Sequence, residues 1–140
     1  MTDHPEKHRA VWIALMVGIG LEFALGVASL VLVPTDRPNQ WIPAHGQAVY
    51  LAHAAVGGVL GIGALLVFFG AVHRGGVVLL GAGIGLVGLL LGAGGGVLTA
   101  FHPWRLAGIA LMLAGTFVAF FGFLMALAAQ IQGAGVGGSV

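Results

Sequence analysis

Four long apolar runs, separated by short polar breaks, occupy nearly all of this chain between residues 11 and 130. A helix rises about 1.5 Å per residue, so roughly 20 apolar residues carry it across the hydrocarbon layer, and each run is long enough to be a membrane span. Lipid offers no partner to a free backbone N–H or C=O, which leaves helices and closed barrels as the only spanning structures. The runs are continuously apolar and do not alternate as barrel strands do, and this selects helices. The pattern predicts spans at residues 11–33, 48–72, 76–100 and 106–130. Three prolines and two charges interrupt the chain from Pro34 to Pro43, His73-Arg74-Gly75 reads as a polar turn, and Pro103 stands where a new helix would start. Short connections place consecutive helices antiparallel. The expected fold is an all-α, integral membrane four-helix up-down-up-down bundle, a single transmembrane domain over residues 1–140 with a flexible glycine-rich tail at 133–140.

Composition agrees. Of the 140 residues 59% are hydrophobic and 6% charged, against about 25% charged in a soluble domain. The mean hydropathy is +1.09. The 26 glycines follow no Gly-X-Y period, which excludes a collagen-like chain. A net charge of +1 without a basic stripe argues against nucleic acid as a partner. With no cysteine, disulfides, thiolate metal sites and thiol nucleophiles are excluded. Gly26-Val27-Ala28 before Ser29 has the form of a signal-peptide cleavage site, but the run from Val11 is too long for a signal core and contains Glu22, so it is read as a span.

Orientation follows from the basic residues. With both termini cytoplasmic, Lys7, Arg9 and Arg74 lie inside and Arg37 and Arg105 outside, a small bias in the usual direction, here taken as that of a bacterial inner membrane. Trp41, Tyr50 and Trp104 then fall at one interface and Trp12 at the other.

Gly81, Gly85, Gly88, Gly92 and Gly96 recur at spacings of three and four, a smooth strip on one face of the third span where another backbone can approach. Gly57 and Gly61 make a shorter strip on the second span, and Gly18 and Gly26 lie on the first. The third-span strip is expected to be covered within the chain, the alternative being a homo-oligomer or a larger membrane complex. Gly83-Ile-Gly-Leu-Val-Gly88 matches a dinucleotide-binding pattern, but that pattern needs a preceding strand and water, and this one lies inside a span.

Chemistry is confined to few residues. Glu22 sits near the middle of the first span, where a charged group costs about 2.5–3.5 kcal/mol on insertion scales, so it should face protein or water. Gly18, Glu22, Gly26 and Ser29 share one helical face. The expected partner of the carboxyl is a backbone carbonyl or Thr116 at similar depth on the fourth span; the alternative is a proton- or cation-binding role for Glu22 and Thr116. His4, His8 and His73 lie in polar segments, whereas His45, His53 and His102 collect at the outer end of the bundle, as interface residues or as ligands. No Ser-His-Asp set, carboxylate pair or phosphate loop can be assembled, which argues against an enzyme, and no metal site is expected.

A histidine near the start of the second span, in His53-Ala-Ala-Val-Gly57, and another entering the fourth, in His102-Pro-Trp-Arg-Leu-Ala-Gly108, resemble small four-helix bacterial membrane proteins of unknown function. The pattern is also similar to half of a haem A synthase or a reduced cytochrome b561. That resemblance implies haem b as cofactor and His53 and His102 as its ligands, although such cytochromes have paired histidines deeper in their helices. The membrane glutamate of the first span resembles that of small multidrug-resistance transporters, whose aromatic binding surface has no evident counterpart here. Three expectations result: a structural or accessory subunit without catalysis of its own, a haem-binding electron-transfer protein, and a proton-coupled small-molecule transporter using Glu22.

Overall fold

A computed structural model describes the backbone of residues 5–32 and 45–136 and the side chains of residues 9–32, 45–101 and 103–132. Helix α1 is Pro5–Leu32, α2 Gln47–Val72, α3 Gly76–Thr99 and α4 Arg105–Val136, with one 3-10 turn, His102–Trp104, before α4. No strand occurs among the described residues. Each helix contains 24 to 28 residues long and apolar enough to cross a membrane, at a mean hydropathy of 2.2 or 2.3. The chain is an all-α, multi-pass membrane bundle, as the four runs predict. Two helices outrun their expected spans: α1 starts at Pro5, and α4 continues through Gly133 to Val136. The segment with Arg37 and Trp41, the side chains of Lys7 and His8, residue His4 and the tail from Gly137 lie outside the described residues.

Local chemistry sets the helix ends. Pro5 opens α1, where its missing N–H is one of the donors that a helix start leaves unpaired. Gly75 (φ 65°) and Gly76 (φ 55°) make the turn between α2 and α3, in a backbone region that costs glycine almost nothing. The amides of Arg74 and Gly75 both donate to the Ala71 carbonyl, at 2.9 and 3.0 Å, and finish α2. Between α3 and α4 the Phe101 amide donates to Leu98 O at 3.1 Å and the Trp104 amide to Phe101 O at 3.0 Å, a tight turn that Pro103 joins without needing an amide of its own.

Helices α3 and α4 approach backbone to backbone. A Cβ added at Gly81 would lie 2.7 Å from both Gly122 O and Ala126 N, and one at Gly95 would lie 2.6 Å from Gly108 O and Met112 N. At Gly88 it would collide with Ala119 N and lie 2.7 Å from Gly115 O. The facing row on α4 is Gly108, Gly115 and Gly122, each of which would meet α3 backbone in the same way. So the α3 strip is covered by α4 of the same chain. It passes through Gly95, which is buried, whereas Gly96 reaches only Met112 Sδ at 4.0 Å and lines a cavity. Contacts repeat every seven residues, at 81, 88 and 95, because two helices in prolonged contact favour a period of 3.5 over 3.6.

Helices α1 and α2 mesh differently, each layer setting one side chain against one glycine. Leu15 lies against Gly63, Leu60 against Gly18, Glu22 against Gly57 and His53 against Gly26. The bundle is most tightly packed at the end where α1 begins: Trp12, Leu15, Ile19, Ala64, Ala71, Ala82, Ala119, Phe123 and Ala126 are buried there. Trp12, expected at the lipid interface, is instead 3% exposed and packs on Phe123 with ring centroids 5.9 Å apart. The indole is buried in one cluster with the alanines Ala64, Ala71, Ala82, Ala119 and Ala126 of the other helices.

Candidate functional site

At the opposite end, where α1 and α3 finish and α2 and α4 begin, the helices leave a cavity of about 490 Å³. All four contribute, α1 from Glu22 to Leu30, α2 from Tyr50 to Leu65, α3 from Leu86 to Thr99 and α4 from Ile109 to Thr116. Its wall is mostly aliphatic and glycine, with a few polar groups. The packed Trp12–Phe123 core lies beyond its inner end, so the molecule has a closed half and a hollow half.

Glu22 and His53 meet on the cavity wall. Glu22 Oε1 is 3.0 Å from His53 Nδ1, and the two side chains are 17% and 18% exposed. Both are positioned by the glycine one turn further along the opposite helix. A Cβ at Gly57 would come within 2.6 Å of Glu22 Oε1, and one at Gly26 within 3.3 Å of His53 Cε1. The sequence Glu22-Phe-Ala-Leu-Gly26 on α1 thus interlocks with His53-Ala-Ala-Val-Gly57 on antiparallel α2. The 3.0 Å contact is close but not in line for an N–H donor, so neither Nδ1 nor buried Oε2 has an aligned hydrogen-bond partner among the described residues.

The remaining polar groups of the wall are hydroxyls. Thr116 Oγ1 donates to Met112 O at 2.9 Å and Thr99 Oγ1 to Gly96 O at 2.6 Å, each to its own helix. Ser29 and Tyr50 also line the cavity. Thr116, expected as a partner for Glu22, therefore spends its proton on α4, although it faces the same cavity. His53, expected as an interface residue or a ligand, faces Glu22. His102 lies in the 3-10 turn and its side chain is outside the described residues; His45 is exposed just before α2. No cluster of three metal-ligating side chains occurs among the described residues. Tyr50 and Phe23 are the aromatic residues of the cavity lining.

The pairing of Glu22 with His53 escaped the sequence reading, although its signal is present: a glycine four residues after each polar residue marks the turn that receives the partner. Comparison with known proteins finds no match, whether among family models, curated proteins or solved structures.

Proposed function

We propose that the protein is a proton-linked binding protein of the membrane, of the proton-coupled transporter kind, which takes a small molecule into the cavity and couples its occupancy to a proton on the Glu22–His53 pair. The observation that carries this reading is the pair itself: the one acid of the spans and a histidine of α2 lie 3.0 Å apart on the cavity wall. Intramembrane ionisable residues are costly and cluster at ion and proton pathways. A purely structural or accessory subunit has no use for an acid, an imidazole and a hollow at one place, since apolar packing would stabilise it better.

The basic-residue bias supports an orientation with both termini cytoplasmic and the hollow half toward the outer face, in a bacterial inner membrane. The large apolar side chains exposed along all four helices, such as Val17, Leu66 and Leu106, fit lipid as the surrounding medium.

Infrared difference spectroscopy across a pH jump tests the proposal on the protein in nanodiscs. Wild type should show a carboxyl band that Glu22→Gln abolishes and His53→Gln displaces. If no carboxyl band is lost in Glu22→Gln, the pair is a static structural contact and the reading is overturned.

A further inference from the structure

We infer that the ligand of the cavity is a single-chain amphiphile dissolved in the bilayer, one linear hydrocarbon chain with a small uncharged head, and that it enters sideways between α2 and α3. This rests on the proton-linked reading for what occupancy does, and it narrows the small molecule of that reading to a chemical class and a route.

The route follows from where neighbouring helices touch. In the closed half α2 meets α3 through Phe68, whose ring would lie 3.6 Å from a Cβ at Gly83. Further toward the hollow end that contact stops. A Cβ at Gly58 or Gly61 of α2 would meet nothing within 4 Å, and on α3 one at Gly92 or Gly96 would reach only Met112 of α4. Ala54, Gly58 and Leu65 of α2 and Leu90, Ala93 and Val97 of α3 line the cavity and are also exposed on the outer surface, so the hollow reaches the lipid along this seam. The opposite seam, between α1 and α4, is bridged beside Glu22 by Phe23 and Phe117, whose ring centroids are 6.4 Å apart.

The class follows from the shape and polarity of the slot. On α2 the lining runs from Tyr50 to Leu65 and on α3 from Leu86 to Thr99, about 20 Å at 1.5 Å per residue, whereas on α1 and α4 it covers only about 10–12 Å. A slot of that length, parallel to the helices, matches a hydrocarbon chain as it stands in one leaflet, whose apolar depth is about 15 Å. Below His53 on α2 and below Thr99 on α3 every lining residue is glycine, alanine, valine or leucine. A water-borne solute finds no polar partner along that stretch, whereas a linear chain supplies the van der Waals contacts that α2 and α3 do not make with each other there. Ser29, Tyr50 and Thr99 stand at the outer end of the lining and receive the head. The titratable lining residues are Glu22 and His53, which face each other deeper in, and Tyr50, while α3 and α4 contribute none. A charged head would therefore lack a counter-charge at the outer end, and an uncharged one fits. The bound chain replaces water beside the Glu22–His53 pair, which couples occupancy to its proton.

Photolabelling of the protein in nanodiscs tests this, with a hexadecanol carrying a diazirine at mid-chain as the probe and mass spectrometry to map the adducts. Adducts should concentrate at residues 54–65 and 86–97, and unlabelled hexadecanol should displace them while compact adamantanol at the same membrane concentration should not. Gly61→Leu, whose Cβ meets nothing within 4 Å, puts a side chain into the slot and should cut labelling by about fivefold or more. Gly94→Leu, outside the cavity, should leave it unchanged. Circular dichroism checks that both variants melt like wild type, and Gly58→Leu is a second blocking variant in the same slot. Labelling spread evenly over all four helices, or undiminished in both blocking variants, overturns the route. Equal displacement by adamantanol overturns the linear-chain class. The infrared experiment reads the proton separately: specific labelling without a Glu22 band keeps the chain site and removes only the linkage, and a Glu22 band without specific labelling does the reverse.

Discussion

Gly57→Ala isolates the site from the fold, because among the described residues the only atoms its new Cβ would strike belong to the Glu22 carboxyl. The Cβ would lie 2.6 Å from Oε1 and 3.5 Å from Cδ. Restoring an ordinary contact moves the carboxyl by roughly 0.8 Å, and a retreat along the line of contact opens the 3.0 Å pair to about 3.8 Å. At an effective dielectric constant of about 20 that weakens the attraction of a carboxylate for an imidazolium by about 1 kcal/mol. Glycine to alanine inside a helix contributes about 1 kcal/mol in the other direction, so stability should stay close to wild type. Gly58→Ala, one residue away with nothing within 4 Å, is the control. Thermal unfolding followed by circular dichroism, with infrared difference spectra across a pH jump on both variants, should give near-wild-type melting for both and a displaced Glu22 carboxyl band for Gly57→Ala alone. A wild-type carboxyl band in Gly57→Ala, or an equal displacement in Gly58→Ala, would refute the placement of the carboxyl against α2.

At Gly88 the obstacle is α4 backbone, which cannot swing away, so Gly88→Ala should lower stability in detergent by about 1–3 kcal/mol while Gly94→Ala, in open space, should not, as read by thermal unfolding. Cysteines at Asn39 and Ser139 should label differently with an impermeant thiol reagent on intact cells, only Asn39→Cys reacting; equal labelling would remove the proposed orientation. Protein expressed with ample haem should lack a Soret band, and a band lost in both His53→Ala and His102→Ala would restore the haem reading.

The helices were legible because the bilayer makes backbone bonding and apolar length nearly the same question. Where each face turns was less so. Gly95 and not Gly96 carries the α3–α4 contact because the register of two touching helices drifts from the 3.6 period of one, and no single span records that drift. Trp12 has the composition of an interfacial anchor, yet small residues on the facing helices leave a space that draws the indole inward. Glu22 and His53 could each be singled out, one by depth and one by neighbouring glycines. Their meeting depends on the antiparallel register of α1 against α2, which brings Gly57 beside Glu22 and Gly26 beside His53 and which neither span states alone.

The account stands most directly on that meeting, and a distance measurement tests it. Solid-state nuclear magnetic resonance on protein in lipid, with ¹⁵N in the imidazole of His53 and ¹³C in the carboxyl of Glu22, reports the separation through their dipolar coupling, and the other histidines and glutamate are removed by substitution so that the signal has one origin. A separation of about 4 Å or less, consistent with the 3.0 Å contact of Nδ1 and Oε1, is the expected result. No measurable coupling would mean that the acid and the imidazole are separate residues on separate faces, and the proton-linked cavity would be contradicted at its foundation.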